Sequence, residues 1–283
     1  MKTLILLSLA LPLAAPLGSA ADADLELLAN DTPARVFAGA ARNIPAVFCN
    51  PAGQTFAASL RTRLWQTTSA TAVPLADTPW KTLRVLPGQT VLESAPLNFP
   101  AVRARTKFLV QWCAPANHLL GATEVLVYPA NLLDQLKLLT DGAAANPGVL
   151  DPHDQLKPAL RQAGIKFSDL ADTTLADFSG RLALIGPCQP ADPEWLGLTR
   201  RVARLARRGT AVVWIQPPPP PADAIRPSFY LVPETKAVVV VVEPSLVAGL
   251  ADHPQAQLNL IYFCQLALQP EPFPLPELTT LAP

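Results

Sequence analysis

Between residues 34 and 128 the apolar positions fall in short β-type runs separated by proline, glycine and asparagine. Strands are expected at 34–37, 46–49, 57–66, 81–86, 89–92, 106–113 and 124–128. Regular spacing with turn residues in between predicts an all-β sandwich over 21–130. Segment 106–113, Thr-Lys-Phe-Leu-Val-Gln-Trp-Cys, is rich in β-branched and aromatic residues and suits a central strand.

The pattern changes after Pro129. Leu132, Leu133, Leu136 and Leu139 fall on one helical face and predict a linker helix within 131–147. Over 148–270, short apolar runs without alternation are interleaved with helical stretches. Strands are expected at 148–151, 165–167, 181–186, 210–215 and 236–242, and helices at 155–163, 193–208 and 255–268. Gly164 and Gly209 stand just past two of those helices, where a left-handed cap is favoured. This arrangement predicts a three-layer α/β domain with a mainly parallel sheet. Residues 271–283 read as a proline-rich tail.

Residues 1–20 interrupt both patterns. A single cation, Lys2, precedes the apolar run Leu4 to Leu11, and Gly18-Ser19-Ala20 has the small residues of a peptidase site. That order predicts a secretory signal peptide cut after Ala20, and a secreted or periplasmic mature protein. The apolar run is shorter than the roughly 20 residues a bilayer span needs, and no later stretch reaches that length. No membrane span is therefore expected after cleavage.

Charge narrows the partners. Lysine and arginine total 22 against 22 aspartate and glutamate, so removing Lys2 leaves 21 against 22. No basic excess of the kind nucleic acid requires is present. The basic run Arg200, Arg201, Arg204, Arg207 and Arg208 fits one solvated helix face. Neither His-x-x-x-His nor Cys-x-x-Cys spacing occurs, and no glycine-rich phosphate loop, so no metal and no cofactor are expected.

Two resemblances follow. Cys49, Trp65 and Cys113 occur in the order that resembles immunoglobulin-like domains, although Gln111 stands where a tyrosine would precede the second cysteine. The resemblance implies a Cys49–Cys113 disulfide joining the two sheets with Trp65 packed on it; two unpaired buried thiols remain the alternative. In the second half, Asp151-Pro152, Ala163-Gly164-Ile165, Leu182 to Gly186 and Arg208 to Trp214 resemble the class I glutamine amidotransferase-like fold. More closely, they resemble its non-catalytic relatives in exported bacterial multidomain proteins. Those relatives imply an accessory to polysaccharide breakdown, with a protein or polysaccharide of the cell envelope as partner. The family's nucleophile would follow the strand 210–215, but Gln216 and five prolines stand there. Proline cannot take the backbone angles of a nucleophile elbow, so no catalytic residue is assigned there.

One enzyme reading stays open beside the binding one. Cys188, His153 and Asp151 are expected at the C-terminal ends of parallel strands, where open α/β sheets bind ligands. A hydrolase of unrecognised type would have its site around these three, with Cys188 and His153 as the pair. Cys264, within an apolar helix, is expected as a buried thiol.

Overall fold

The computed structural model describes residues 25–140, 146–171, 177–215, 229–234 and 236–269. The segment expected as a signal peptide, the proline run after Ile215 and the proline-rich tail lie outside these residues.

The first half holds eight strands. They are β1 (Glu26–Leu28), β2 (Ala34–Phe37), β3 (Ala41–Cys49), β4 (Phe56–Thr67), β5 (Ala72–Val85), β6 (Thr90–Asn98), β7 (Thr106–Cys113) and β8 (Leu119–Tyr128). One sheet has the order β1-β3-β6 and the other β2-β8-β7-β4-β5. All pairs are antiparallel except β2 with β8, which run parallel. The two sheets share one core, to which Ile44, Ala46 and Phe48 of β3 and Phe108, Val110 and Trp112 of β7 contribute. Trp112 is its centre. Its ring meets Phe48 edge-on at 5.6 Å and Trp80 at 5.0 Å, and its buried indole N–H donates to Thr123 Oγ1 at 2.9 Å.

The expected Cys49–Cys113 disulfide is not formed in this structure. Cys49 follows Phe48 onto the outer face of β3, and Cys113 is buried beside a register shift that follows Trp112. Both are free thiols. Trp65 also lies on an outer face, alternating with buried Leu60, Thr62 and Leu64, and its indole N–H donates to Gln111 Oε1 at 2.9 Å.

The second half begins with α1 (Asp134–Thr140) and contains β9 (Gly148–Leu150), α2 (Lys157–Gln162), β10 (Ser168–Asp169) and β11 (Leu182–Ile185). It continues with α3 (Leu198–Arg208), β12 (Ala211–Ile215), β13 (Phe229–Pro233), β14 (Val238–Val242) and α4 (Pro254–Leu268). The sheet order is β10-β9-β11-β12-β14-β13. The first five strands are parallel, and β13 joins antiparallel at the edge. Leu182, Leu184, Val213 and Ile215 face the core formed with α1, α2 and α4. Ala183, Ile185, Val212 and Trp214 face the core formed with α3. Buried on both sides, these strands carry apolar residues at every position.

The expected strand at 165–167 forms instead at Ser168–Asp169, as β10. The expected helix 193–208 is divided: Pro193–Trp195 is a 3-10 turn, and Gly197 at φ +69° resets the chain before α3. Gly209 ends α3 at φ +102°.

The halves are not independent. Phe37 and Tyr128 join the core that contains α1 and α4, and Leu126 packs against it. Arg35 Nη1 donates to Gln255 Oε1 at 2.5 Å. One end of the outer face of the β2-β8-β7-β4-β5 sheet is thus covered by the α/β half.

Candidate functional site

In the parallel sheet β10 lies on one side of β9 and β11 on the other. Chain order reverses between β9 and β11, and the crevice beyond their C-terminal ends is where such sheets accept ligands. Asp151 directly follows β9, and Gly186 to Cys188 directly follow β11. Asp151 and Cys188 thus stand at one edge of one parallel sheet.

Asp151 is 1% exposed, and its carboxylate caps the turn that starts α2. Its Oδ1 accepts the backbone N–H of Gln155 at 3.0 Å; its Oδ2 accepts those of Leu156 and Lys157 at 2.7 and 2.9 Å. Three otherwise orphaned donors are satisfied by one carboxylate. Gly186 seals the gap behind it, because a Cβ there would stand 2.7 Å from Asp151 Oδ1. A side chain at 186 would have to displace the cap.

His153 and Cys188 are engaged separately. His153 Nε2 meets Asp192 Oδ2 at 2.9 Å, and the backbone N–H of Gln189 donates to the same oxygen at 2.5 Å. The Gln189 amide, then the His153 ring, holds the Asp192 carboxyl below the ordinary carboxylate range. Cys188 is 1% exposed and its thiol hydrogen-bonds to the Gly186 carbonyl at 3.6 Å. Burial, followed by the negative charge of Asp192, Glu194 and Asp151, pushes this thiol up to about 11. A cysteine nucleophile needs the opposite environment, one that favours the thiolate. The edge thus brings Asp151, His153 and Cys188 to neighbouring loops without joining them in a proton relay. What connects the two loops is His153 with Asp192.

Sequence reasoning missed Asp192. Its signal was the Asp192-Pro193 pair: an aspartate before a proline that opens a turn commonly accepts a nearby backbone N–H. It also missed the ion pair between Lys157 Nζ and Asp169 Oδ2 at 2.6 Å, which ties α2 to β10. Burial raises the Asp169 carboxyl, but Lys157, the Ala171 N–H and Arg161 outweigh it and hold it below its ordinary value. Cys264 is fully buried, and burial pushes its thiol far up.

Among the described residues, no group of three or more histidine, cysteine, aspartate or glutamate side chains is placed to hold a metal ion. No described helix is long and apolar enough to cross a membrane. A depression of about 440 Å³ lined by Asp177, Phe178, Arg181, Arg208 and Thr210 lies at the opposite, N-terminal edge of the sheet.

No protein-family model matches the chain, and no curated protein matches it. Solved structures give partial similarity. The alkylpurine DNA glycosylase AlkC of Pseudomonas fluorescens, bound to DNA, aligns at 14% identity and TM-score 0.29, covering 39% of this chain and 32% of that one. The β-glucosidase of Listeria innocua in complex with isofagomine aligns at 13% identity and TM-score 0.28, covering 37% of this chain and 16% of that one. The sporulation control protein Spo0M of Bacillus subtilis aligns at 7% identity and TM-score 0.29, covering 44% of this chain and 60% of that one. This chain thus spans less than two thirds of each of these proteins, and similarity at this level identifies no function.

Proposed function

We propose that the chain is an exported, non-catalytic binding protein of the cell envelope, acting as an accessory to polysaccharide breakdown. The observation that carries the non-catalytic part is the separate engagement of the three side chains at the β9–β11 edge. Asp151 is committed to the α2 cap, His153 to Asp192, and Cys188 is a buried thiol pushed up to about 11. The strand order β1-β3-β6 facing β2-β8-β7-β4-β5 supports an immunoglobulin-like reading of the first half. The strand order of the second half, with helices on both faces, supports a glutamine amidotransferase-like scaffold without its chemistry. Export rests on the pattern of residues 1–20.

Two measurements test this reading. N-terminal sequencing of the protein from the extracytoplasmic fraction should begin at Ala21. The Cys188→Ala variant should show the same glutamine and ester hydrolysis as the parent, namely background. An intact Met1 on cytoplasmic protein would sink the export claim, and hydrolysis abolished by Cys188→Ala would restore the hydrolase reading.

A further inference from the structure

The α/β half covers the β2–β8 end of the larger sheet's outer face, but the face continues over β7, β4 and β5. Register arranges its side chains in rows that cross the strands. Trp65 of β4 stands opposite Leu109 of β7, Leu109 opposite Glu124 of β8, and Pro74 of β5 opposite Trp65. Trp65 and Leu109 are part-exposed and Pro74 is exposed. Neither Trp65 nor Leu109 belongs to the buried clusters or to the side chains packed on them. The three form an apolar strip spanning three strands, about 10 Å across.

Polar rows border the strip on both sides, each two residues along the strands and so about 7 Å away. On one side are Gln111, Arg63 and Asp77; on the other are Thr67 and Lys107. The polar groups are held in place. Gln111 Oε1 accepts the Trp65 indole N–H, which leaves its amide N–H groups as donors beside the ring. Arg61 and Arg63 both donate to Asp77, and Arg63 also donates to Asn117 Oδ1 at 2.6 Å. Lys107 is paired with Glu124. A register shift between Leu64 and Trp65 in the β4–β5 pairing sits at the ring, and such irregularities re-aim side chains.

We propose that this face binds an uncharged polysaccharide, with a sugar ring stacked on Trp65 and its hydroxyls meeting the flanking rows. The proposal rests on the reading of the chain as a binding protein and names its ligand class and surface. A pyranose ring has a C–H-rich face and a rim of hydroxyls; the negative face of an aromatic ring attracts the first. Paired amide, guanidinium and carboxylate groups meet the second with donors and acceptors side by side. The arginines and the lysine already have acidic partners on the same face, so the patch offers hydrogen bonds without a demand for ligand charge. A strip three side chains wide falls well short of the roughly 800 Å² per partner that a stable protein interface needs.

The test uses the full mature protein in affinity electrophoresis and titration calorimetry with laminarin, xylan, galactomannan and polygalacturonate. At least one neutral polymer should bind. Trp65→Ala should weaken that binding by about tenfold or more, Trp65→Phe by less, and Leu196→Ala, at an 87% exposed site in the other half, not at all. Should Trp65→Ala fail to fold, Gln111→Ala and Trp65→Phe carry the same comparison. Binding unchanged in Trp65→Ala, preference for polygalacturonate, or no binding across the panel overturns the proposal. So does a dimer in sedimentation that Trp65→Ala dissociates, because the strip would then receive a second copy. The export and Cys188 measurements read other parts of the chain, so their failure is distinguishable from failure here.

Discussion

Trp65 and Trp112 lie on opposite faces of one sheet and have opposite jobs. Trp112 is fully buried, with Phe48 and Trp80 against its ring. Trp112→Ala should cost about 3–5 kcal/mol, read as a lower urea midpoint, because it opens a cavity and leaves the buried Thr123 Oγ1 without the N–H it accepts. Trp65→Ala, on the outer face, should cost well under half of that; equal costs would place Trp65 in the core after all. The distinction was only partly legible in the sequence, because 44–49 is apolar at every position and gives no alternation to read. In the fold Ile44, Ala46 and Phe48, and Phe108, Val110 and Trp112, take the inward positions, while Cys49 and Cys113 are free thiols. The Cys–Trp–Cys order pointed to Trp65 as the packed tryptophan, and the buried place belongs to Trp112. The roles of Asp151 and His153 were less accessible, since a cap and a loop-to-loop ion pair depend on how two turns fold back.

Proline explains most errors at the scale of elements. Read along the chain, Pro45, Pro74, Pro79 and Pro96 cut strands short. In the fold β5 and β6 are edge strands, and β3 is paired with β1 only over Val47 to Cys49, so Pro45 faces an unpaired side. A residue without an N–H is tolerated where no neighbour needs one. Glycine was read more faithfully, because its signal is local. Gly209, at φ +102°, closes α3 with its N–H on the carbonyls of Leu205 and Ala206. Gly209→Ala has free space for a methyl group and should still lose about 1–2 kcal/mol from backbone strain; an unchanged melting temperature would contradict that. The Lys157–Asp169 pair predicts a pH effect. The Asp169 carboxyl is held low in the fold, so its contribution is full above its unfolded pKa, about 3.9, and fades as pH falls through the folded value. The stability of Asp169→Asn should therefore fall less steeply than the parent's between about pH 4 and pH 2. Asp77, Asp134 and Asp192 are also held low and will keep the parent slope from vanishing.

The whole molecule shows a composition that sequence periodicity reads well, a sheet-rich first half and a mainly parallel sheet with helices after it. It hides the seam. Phe37, Leu126 and Tyr128 alternate outward from β2 and β8, and nothing local says that α1 and α4 will cover them. A shared core couples the two halves, so calorimetry should give one cooperative transition, and residues 25–130 alone should aggregate through the exposed seam. Two separated transitions, or a soluble monomeric fragment, would show that the seam contributes little.

The borders of the two β-sheets carry a consequence of their own. β1 and β2 are only three and four residues long, while β5 and β6 contain proline. Strand-by-strand zippering with a foreign chain is discouraged on every side. Whatever meets this half must be recognised by side chains standing on a face, not by main-chain amides along a rim. Main-chain recognition is nearly blind to sequence, whereas a row of side chains can be rewritten one position at a time. Selectivity here can drift quickly over evolutionary time on a scaffold that barely changes.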